Sequence, residues 1–288
     1  MRLARGGVLD GLAGMPAEAS REGVRLIRPL LGLPPARLKA GLLAAGQAWI
    51  EDPSNSDEAF ERVRWRRLIP PPLGPEIARA AAEIAEARLR HERAVGELLA
   101  EARLDPAGFL SLGLEAVQTA EPEIARRALG RALMVVGGEA YSPRQDSLAL
   151  LLAEIGGGLR GRTLGGCRLV VKAGRLLVFR EVAAAREEIR VESGERRRWD
   201  NRFDVVVPRS GLLARLGEAG WALLPRARRP AQLPREAALS LPCLWRRGRP
   251  AELPCLGPGK AGFSARFRPR QPLVPACFTV ANWNVNII

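Results

Sequence analysis

The sequence predicts a mixed α/β chain in three parts: irregular α/β material, a mainly helical domain ending in a β-hairpin, and a small α+β terminal domain. Three observations carry this reading. The triple proline Pro70-Pro71-Pro72 must end any helix that precedes it. Beyond it, Ile77, Ala81, Ile84, Leu98 and Leu99 recur at helical spacing. After Cys167 the period changes to that of strands, around the turn Lys172-Ala173-Gly174.

In residues 1–72, glycine-rich turns (Arg5-Gly6-Gly7, Gly11, Gly14) lead to an apolar segment, 24–33, closed by Pro34-Pro35. A short helix is expected over 36–46 and a second over 57–69, stopped by the triple proline. The next part, 73–182, opens with Pro75 near the first turn of a helix over 76–104. Further helices over 123–136 and 144–155 follow, then strands over 167–171 and 175–182. Residues 183–198 are rich in charge and read as a linker or an exposed strand edge. The last part, 199–288, is proline-rich with short apolar runs at 205–207 and 239–245.

Composition narrows the function. Among 288 residues, 45 Lys and Arg against 31 Asp and Glu leave a net charge of +14, a field that attracts polyanions. GC-rich coding explains abundant arginine, but not an excess of bases over acids. The four cysteines (Cys167, Cys243, Cys255, Cys277) form no CxxC pair and there is one histidine, His91, so no metal site is expected. His91 lies on the face of Ile84 and reads as a core-edge residue. No apolar run spans a bilayer and the N-terminus has no signal-peptide core, which gives a cytoplasmic expectation.

The most informative local feature is Asp52-Pro53-Ser54-Asn55 and the helix after it. Arg62 and Arg66 are four apart and share a helix face; Arg64 and Arg67 widen the basic surface. Ser54, Asn55 or Ser56 is expected to cap that helix, whose amides favour an anion. Arginine forks suit phosphate oxygens. Trp49, Trp65, Trp199, Trp245 and Trp283 are candidate base-stacking groups, with core packing as the ordinary alternative. The residues alone thus describe a basic, multi-domain chain suited to nucleic acid, without a self-contained catalytic site.

Several segments, in one order, resemble the tRNA(Ile)-lysidine synthetase family of the N-type PP-loop ATPase superfamily. Arg2-Leu3-Ala4-Arg5-Gly6-Gly7 with Gly11-Leu12-Ala13-Gly14-Met15 looks like the family's LxRGSGxxGLxGM stretch, and Arg28-Pro29-Leu30-Leu31 like its RPLL element. Asp52-Pro53-Ser54-Asn55 with Arg62 and Arg66 matches DP[ST]N…RNxxR and is the most specific piece. Thr163-Leu164-Gly165-Gly166-Cys167 with Arg180-Glu181, Trp199-Asp200-Asn201-Arg202-Phe203, and the stretch from Leu241-Pro242 to Leu253-Pro254 complete the likeness. Gly7 and Val63 stand where the family usually has Ser and Asn.

The resemblance implies a first part that is the α/β remnant of a PP-loop catalytic domain. It also implies an ATP- and Mg²⁺-dependent carbon–nitrogen ligase that adenylates C2 of a wobble cytidine and then joins free lysine to it. The implied partner is isoleucine tRNA with a CAU anticodon, with neither DNA nor a membrane; a homodimer is compatible. Asp52, Asn55, Arg62 and Arg66 would border the cleft, Arg2 and Arg5 would lie at its ATP edge, and Arg246, Arg247 and Arg249 would meet tRNA phosphates in the terminal domain. The family's SGGxDS loop does not occur in these 288 residues, and Gly156-Gly157-Gly158 lacks its Ser and Asp. The expectation is an N-terminally truncated member, inactive alone, with its catalytic residues upstream of Met1 and apolar surface exposed around 24–33. A tRNA-binding fragment without catalysis is the alternative.

Overall fold

The structure, a computed structural model, describes residues 12–21, 24–70, 73–230, 233–256 and 262–274. It is a mixed α/β chain with several small sheets. Two compact units divide it: Met1–Ser20, Val24–Arg93 and Ala276–Ile288 in the first, Arg21–Gly23 and Ala94–Pro275 in the second. Among the described residues, no helix is long and apolar enough to cross a membrane.

In the first unit, β1 (Glu18–Arg21) and β2 (Val24–Ile27) form a two-stranded sheet. Helix α1 (Pro35–Ala44) starts on a proline, whose fixed φ and missing N–H suit a first turn. Helix α2 (Glu61–Leu68) begins later than the pattern predicts, because Asp57 Oδ1 accepts from the Ala59 amide and holds a turn there instead. Helix α3 (Leu73–Ala100) follows, its last turns belonging to the second unit. It stops before Leu104, which pairs with Leu110 as a strand. The apolar run is exposed as expected: every residue of β2 is, and so are Leu30, Leu31 and Leu33.

The second unit opens with β3 (Arg103–Leu104), β4 (Leu110–Gly113), α4 (Leu114–Thr119), α5 (Pro122–Gly137) and α6 (Gln145–Gly156). Strands β5 (Arg162–Leu164), β6 (Cys167–Lys172) and β7 (Arg175–Arg180) then join β3 and β4 in one antiparallel sheet, ordered β3-β4-β7-β6-β5. The expected hairpin is therefore the middle of a five-stranded sheet and not an appendage to helices. Its turn holds Ala173 and Gly174 at φ of 49° and 69°, the two left-handed residues a type I′ turn requires. On α5, Ala125, Leu129, Leu133 and Val136 make one buried stripe against Leu169, Leu176 and Val178 of the sheet, with Leu148, Leu151 and Ile155 of α6 beside them. Gly138, at φ 69°, ends α5 with its N–H on the Met134 carbonyl.

Two four-stranded sheets follow, built from β8 (Ile189–Val191), β9 (Arg196–Trp199), β10 (Phe203–Val206), β11 (Gly211–Arg215), β12 (Pro242–Arg246), β13 (Arg249–Glu252), β14 (Cys255–Leu256) and β15 (Ser264–Phe267). Their orders are β13-β12-β11-β8 and β14-β15-β10-β9. Residues 183–198, read as a linker or strand edge, supply the edge strands β8 and β9. The sheets share a core of Val191, Leu213 and Leu244 from one and Trp199, Phe203, Val205 and Ala265 from the other. Helices α7 (Gly217–Leu223) and α8 (Arg235–Leu239) lie between β11 and β12 in sequence.

Candidate nucleic-acid interface

The Asp52-Pro53-Ser54-Asn55 segment folds as a 3₁₀ turn, Pro53–Asn55. Asp52 Oδ1 accepts from the Ser54 amide at 2.9 Å, and the Asp52 carbonyl accepts from the Asn55 amide at 3.0 Å. Proline presets the turn's φ and the carboxylate satisfies its first free amide, so this local sequence determines its own conformation. Asn55 is exposed on it. The capping expectation is corrected: the residue before α2 is Phe60, which supplies no side-chain cap, and Ser54, Asn55 and Ser56 belong to the earlier turn.

Arg62 and Arg66 both lie on α2, one turn apart on the backbone. Arg64 and Arg67 are exposed on α2 and tied to the loop before it. The Arg64 guanidinium donates to the carbonyls of Glu58 at 2.6 Å and Ala59 at 3.1 Å, fastening the loop before the helix, and Arg67 pairs with Glu58. Val63 is buried and Trp65 donates to Glu61 Oε1, which gives α2 its inner side. Arg2 and Arg5 lie outside the described residues.

Arg246, Arg247 and Arg249 meet at one hairpin tip. Arg246 and Arg249 pair directly across β12 and β13, and Arg247 and Gly248 turn the chain at φ of 50° and 71°. All three arginines are exposed. Like charges placed opposite each other repel, so this tip favours an incoming anion.

Three of the sequence segments that are far apart along the chain converge on a buried ionic network. Arg180, at the end of β7, grips Asp200 with Nε at 3.1 Å and Nη2 at 2.8 Å; Arg202 Nε reaches the same carboxylate at 2.7 Å. Arg180 also donates to the Gly166 and Ala184 carbonyls, and Arg202 to the Ser240 carbonyl. Asp200 and Asn201 sit at φ of 49° and 54° in the β9–β10 turn, a conformation that Asp and Asn tolerate best among residues with side chains. Burial pushes the Arg202 guanidinium down to about 10, opposed by Asp200, so it stays charged at neutral pH. Burial likewise pushes the Cys167 thiol up to about 12. The network is a clamp inside the second unit; it touches no open surface through Arg202, which is fully buried. Trp199, a candidate stacking residue, is core: its indole donates to the Glu187 carbonyl at 3.0 Å.

The described residues contain no group of three His, Cys, Asp or Glu able to hold a metal ion. His91 is half-buried within α3. The glycine run 156–158 closes the carbonyl end of α6, where the helix dipole is negative and disfavours phosphate.

Comparison with known proteins adds to this geometry. Residues 1–73 match a family model described as a PP-loop domain. A tRNA(Ile)-lysidine synthase of Ruegeria pomeroyi is 34% identical over 260 residues, 85% of this chain and 59% of that protein. One of Hyphomonas neptunium is 37% identical over 60% of this chain and 49% of its own length, and one of Bradyrhizobium 40% identical over 54% and 38%. The chain spans about half the length of the relatives it matches. With a PP-loop match at one end and relatives aligned across most of its length, the chain belongs to the tRNA(Ile)-lysidine synthase family.

Proposed function

We propose that these residues serve a tRNA(Ile)-lysidine synthetase, which joins lysine to C2 of the wobble cytidine of the CAU-anticodon isoleucine tRNA through an adenylated intermediate. The observation that carries this reading is the 34% identity over 85% of the chain. ATP supplies the activation of C2, and Mg²⁺ would accompany its phosphates. Among the described residues no group of three His, Cys, Asp or Glu could hold a metal ion.

In this reading the chain's own residues hold the RNA. Residues 1–72 are the part of the catalytic domain that borders the cleft, with Asp52 and Asn55 on a rigid turn and Arg62 and Arg66 on the following helix. Arg2 and Arg5 complete the ATP edge. The helical and five-stranded part over 73–182 and the terminal domain over 199–288 grip the tRNA body, with Arg246, Arg247 and Arg249 on its phosphates. Preorganised arginines stabilise phosphate charge at little cost of reorganisation. The second reading, a tRNA-binding chain without catalysis, rests on the net charge of +14 and the exposed arginines of the 246–249 tip.

The test combines binding and turnover. Arg62→Ala with Arg66→Ala should weaken tRNA binding and make its log-log salt dependence shallower by about two. An unchanged slope removes the pair from the interface. ATP-dependent incorporation of labelled lysine into a CAU-anticodon transcript by these 288 residues alone would overturn the view that they lack a triphosphate site. Salt-sensitive binding without incorporation would support the second reading for this chain.

A further inference from the structure

The two four-stranded sheets differ on their outer faces. That of β13-β12-β11-β8 is apolar and covered: Cys243 and Trp245 pack with Leu216, Trp221 and Leu224 from α7 and its ends. That of β14-β15-β10-β9 carries arginine. Arg198, Asp204 and Arg266 stand in register across β9, β10 and β15, and Arg196 lies in the next outward row with Val206 and Ser264. Arg268 joins from beyond β15 by bonding Asp204 Oδ2 at 3.3 Å. Three arginines therefore stand beside one aspartate, with Arg196 one outward row away.

Asp204 organises this face and does not neutralise it. It accepts from Arg198 Nη1 at 2.7 Å, while Arg198 Nη2 donates to the Asn201 and Arg268 carbonyls, so the guanidinium is held on three sides. Burial works to raise the Asp204 carboxyl, but the bonds from Arg198 and Arg268 outweigh it and hold it below its usual value. Arg196 and Arg266 are exposed and have no ion pair among the described residues. Neighbouring outward positions are about 5 Å apart across strands and about 7 Å along one. The aromatics of these strands, Trp199, Phe203 and Phe267, all face inward, so the surface offers charge without base stacking.

We propose that the outer face of the β14-β15-β10-β9 sheet, formed by Arg196, Arg198, Arg266 and Arg268 around Asp204, is a docking surface for the sugar–phosphate backbone of RNA. It rests on the tRNA-binding reading and assigns a surface distinct from the 246–249 hairpin tip. Guanidinium forks fixed on a sheet match phosphate oxygens bidentately, and a flat array reads backbone and not sequence.

The experiment measures affinity of the 288-residue chain for an isoleucine tRNA transcript against salt. Arg196→Ala with Arg266→Ala removes two charges that no described fold contact uses; unchanged thermal unfolding checks this. The expected result is a slope shallower by about two, so that the affinity lost between about 50 and 200 mM salt shrinks by roughly tenfold. Arg186→Ala with Arg190→Ala, which removes the same charge from exposed positions outside the parts that grip the tRNA, should leave the slope within experimental error. Arg196→Lys with Arg266→Lys should restore most of the slope and only part of the affinity. An unchanged slope in the first variant, or an equal change in the Arg186 and Arg190 variant, overturns the proposal while leaving tRNA binding intact. A parent chain that does not bind tRNA at low salt overturns both this proposal and the functional reading.

Discussion

The described residues of the first unit bury two hydrophobic side chains, Ala13 and Val63, whereas the second unit buries four apolar clusters. Both units carry leucine, isoleucine and valine runs in sequence. Leu26, Ile27, Leu30, Leu31 and Leu43 of the first unit are exposed, while Leu129, Leu133, Leu148 and Leu151 of the second are fully buried. Binary pattern marks a face as suited to burial, and only neighbours in space bury it. The ion pairs differ at their extremes. Lys39–Glu51 and Arg67–Glu58 of the first unit are at the surface, as are pairs such as Arg235–Glu218 in the second, but only the second unit holds a set buried on both sides among the described residues, Arg180–Asp200–Arg202.

The largest expected effect tests that last contrast. Asp200→Asn leaves the fully buried Arg202 guanidinium without a counter-charge and Arg180 with Glu139 alone, at 3.9 Å, and should cost about 3–5 kcal/mol in denaturant unfolding. Glu51→Gln, which breaks the exposed pair of the first unit, should leave the unfolding midpoint where it was. Equal effects would break the comparison. Next, Leu133→Ala, at 1% exposure, should destabilise by about 2–5 kcal/mol, whereas Leu43→Ala, at 68%, should stay within about 0.5 kcal/mol. A large loss in the Leu43 variant would mean that this face is covered in solution, for instance by a second copy.

The smallest effect concerns pH. Glu123, in the first turn of α5, is bonded by Arg126 and Arg127 at 2.5 and 2.8 Å. Burial alone would raise its carboxyl, but these bonds and charges prevail and its folded pKa lies below the ordinary value. A depressed carboxylate contributes stability above its unfolded pKa and loses it as pH falls through the folded one. Glu123→Gln should therefore cost about 1 kcal/mol or less at neutral pH. The gap from the parent protein should close as the pH falls through the carboxylate range. A gap that persists in acid would mean the residue acts through packing.

Much of the second unit was legible because its signals are local. The stripe of α5 and the turn Ala173-Gly174 announce themselves within a dozen residues, and both helices after Pro122 lie within a residue or two of where spacing puts them. What spacing missed was pairing. Nothing near Cys167 says that β4 will join its hairpin, because that partner lies more than fifty residues earlier. The arginine face was missed for the same reason: Arg196–Trp199 reads as a charged connection until β10 and β15 place Arg198 and Arg266 beside Asp204. At the candidate cleft, spacing put Arg62 and Arg66 on one helix, yet only the structure shows Arg64 and Arg67 spent on the loop before it.

By itself, then, the sequence determined the chain's positive field, its five longer helices, the Ala173-Gly174 turn and its family, since each depends on residue types and short-range spacing. Tertiary structure alone decided which apolar faces are covered, which arginines clamp Asp200 inside the fold, and which stand free on a sheet. Those outcomes depend on neighbours brought together from distant parts of the chain, and short-range spacing carries no information about them.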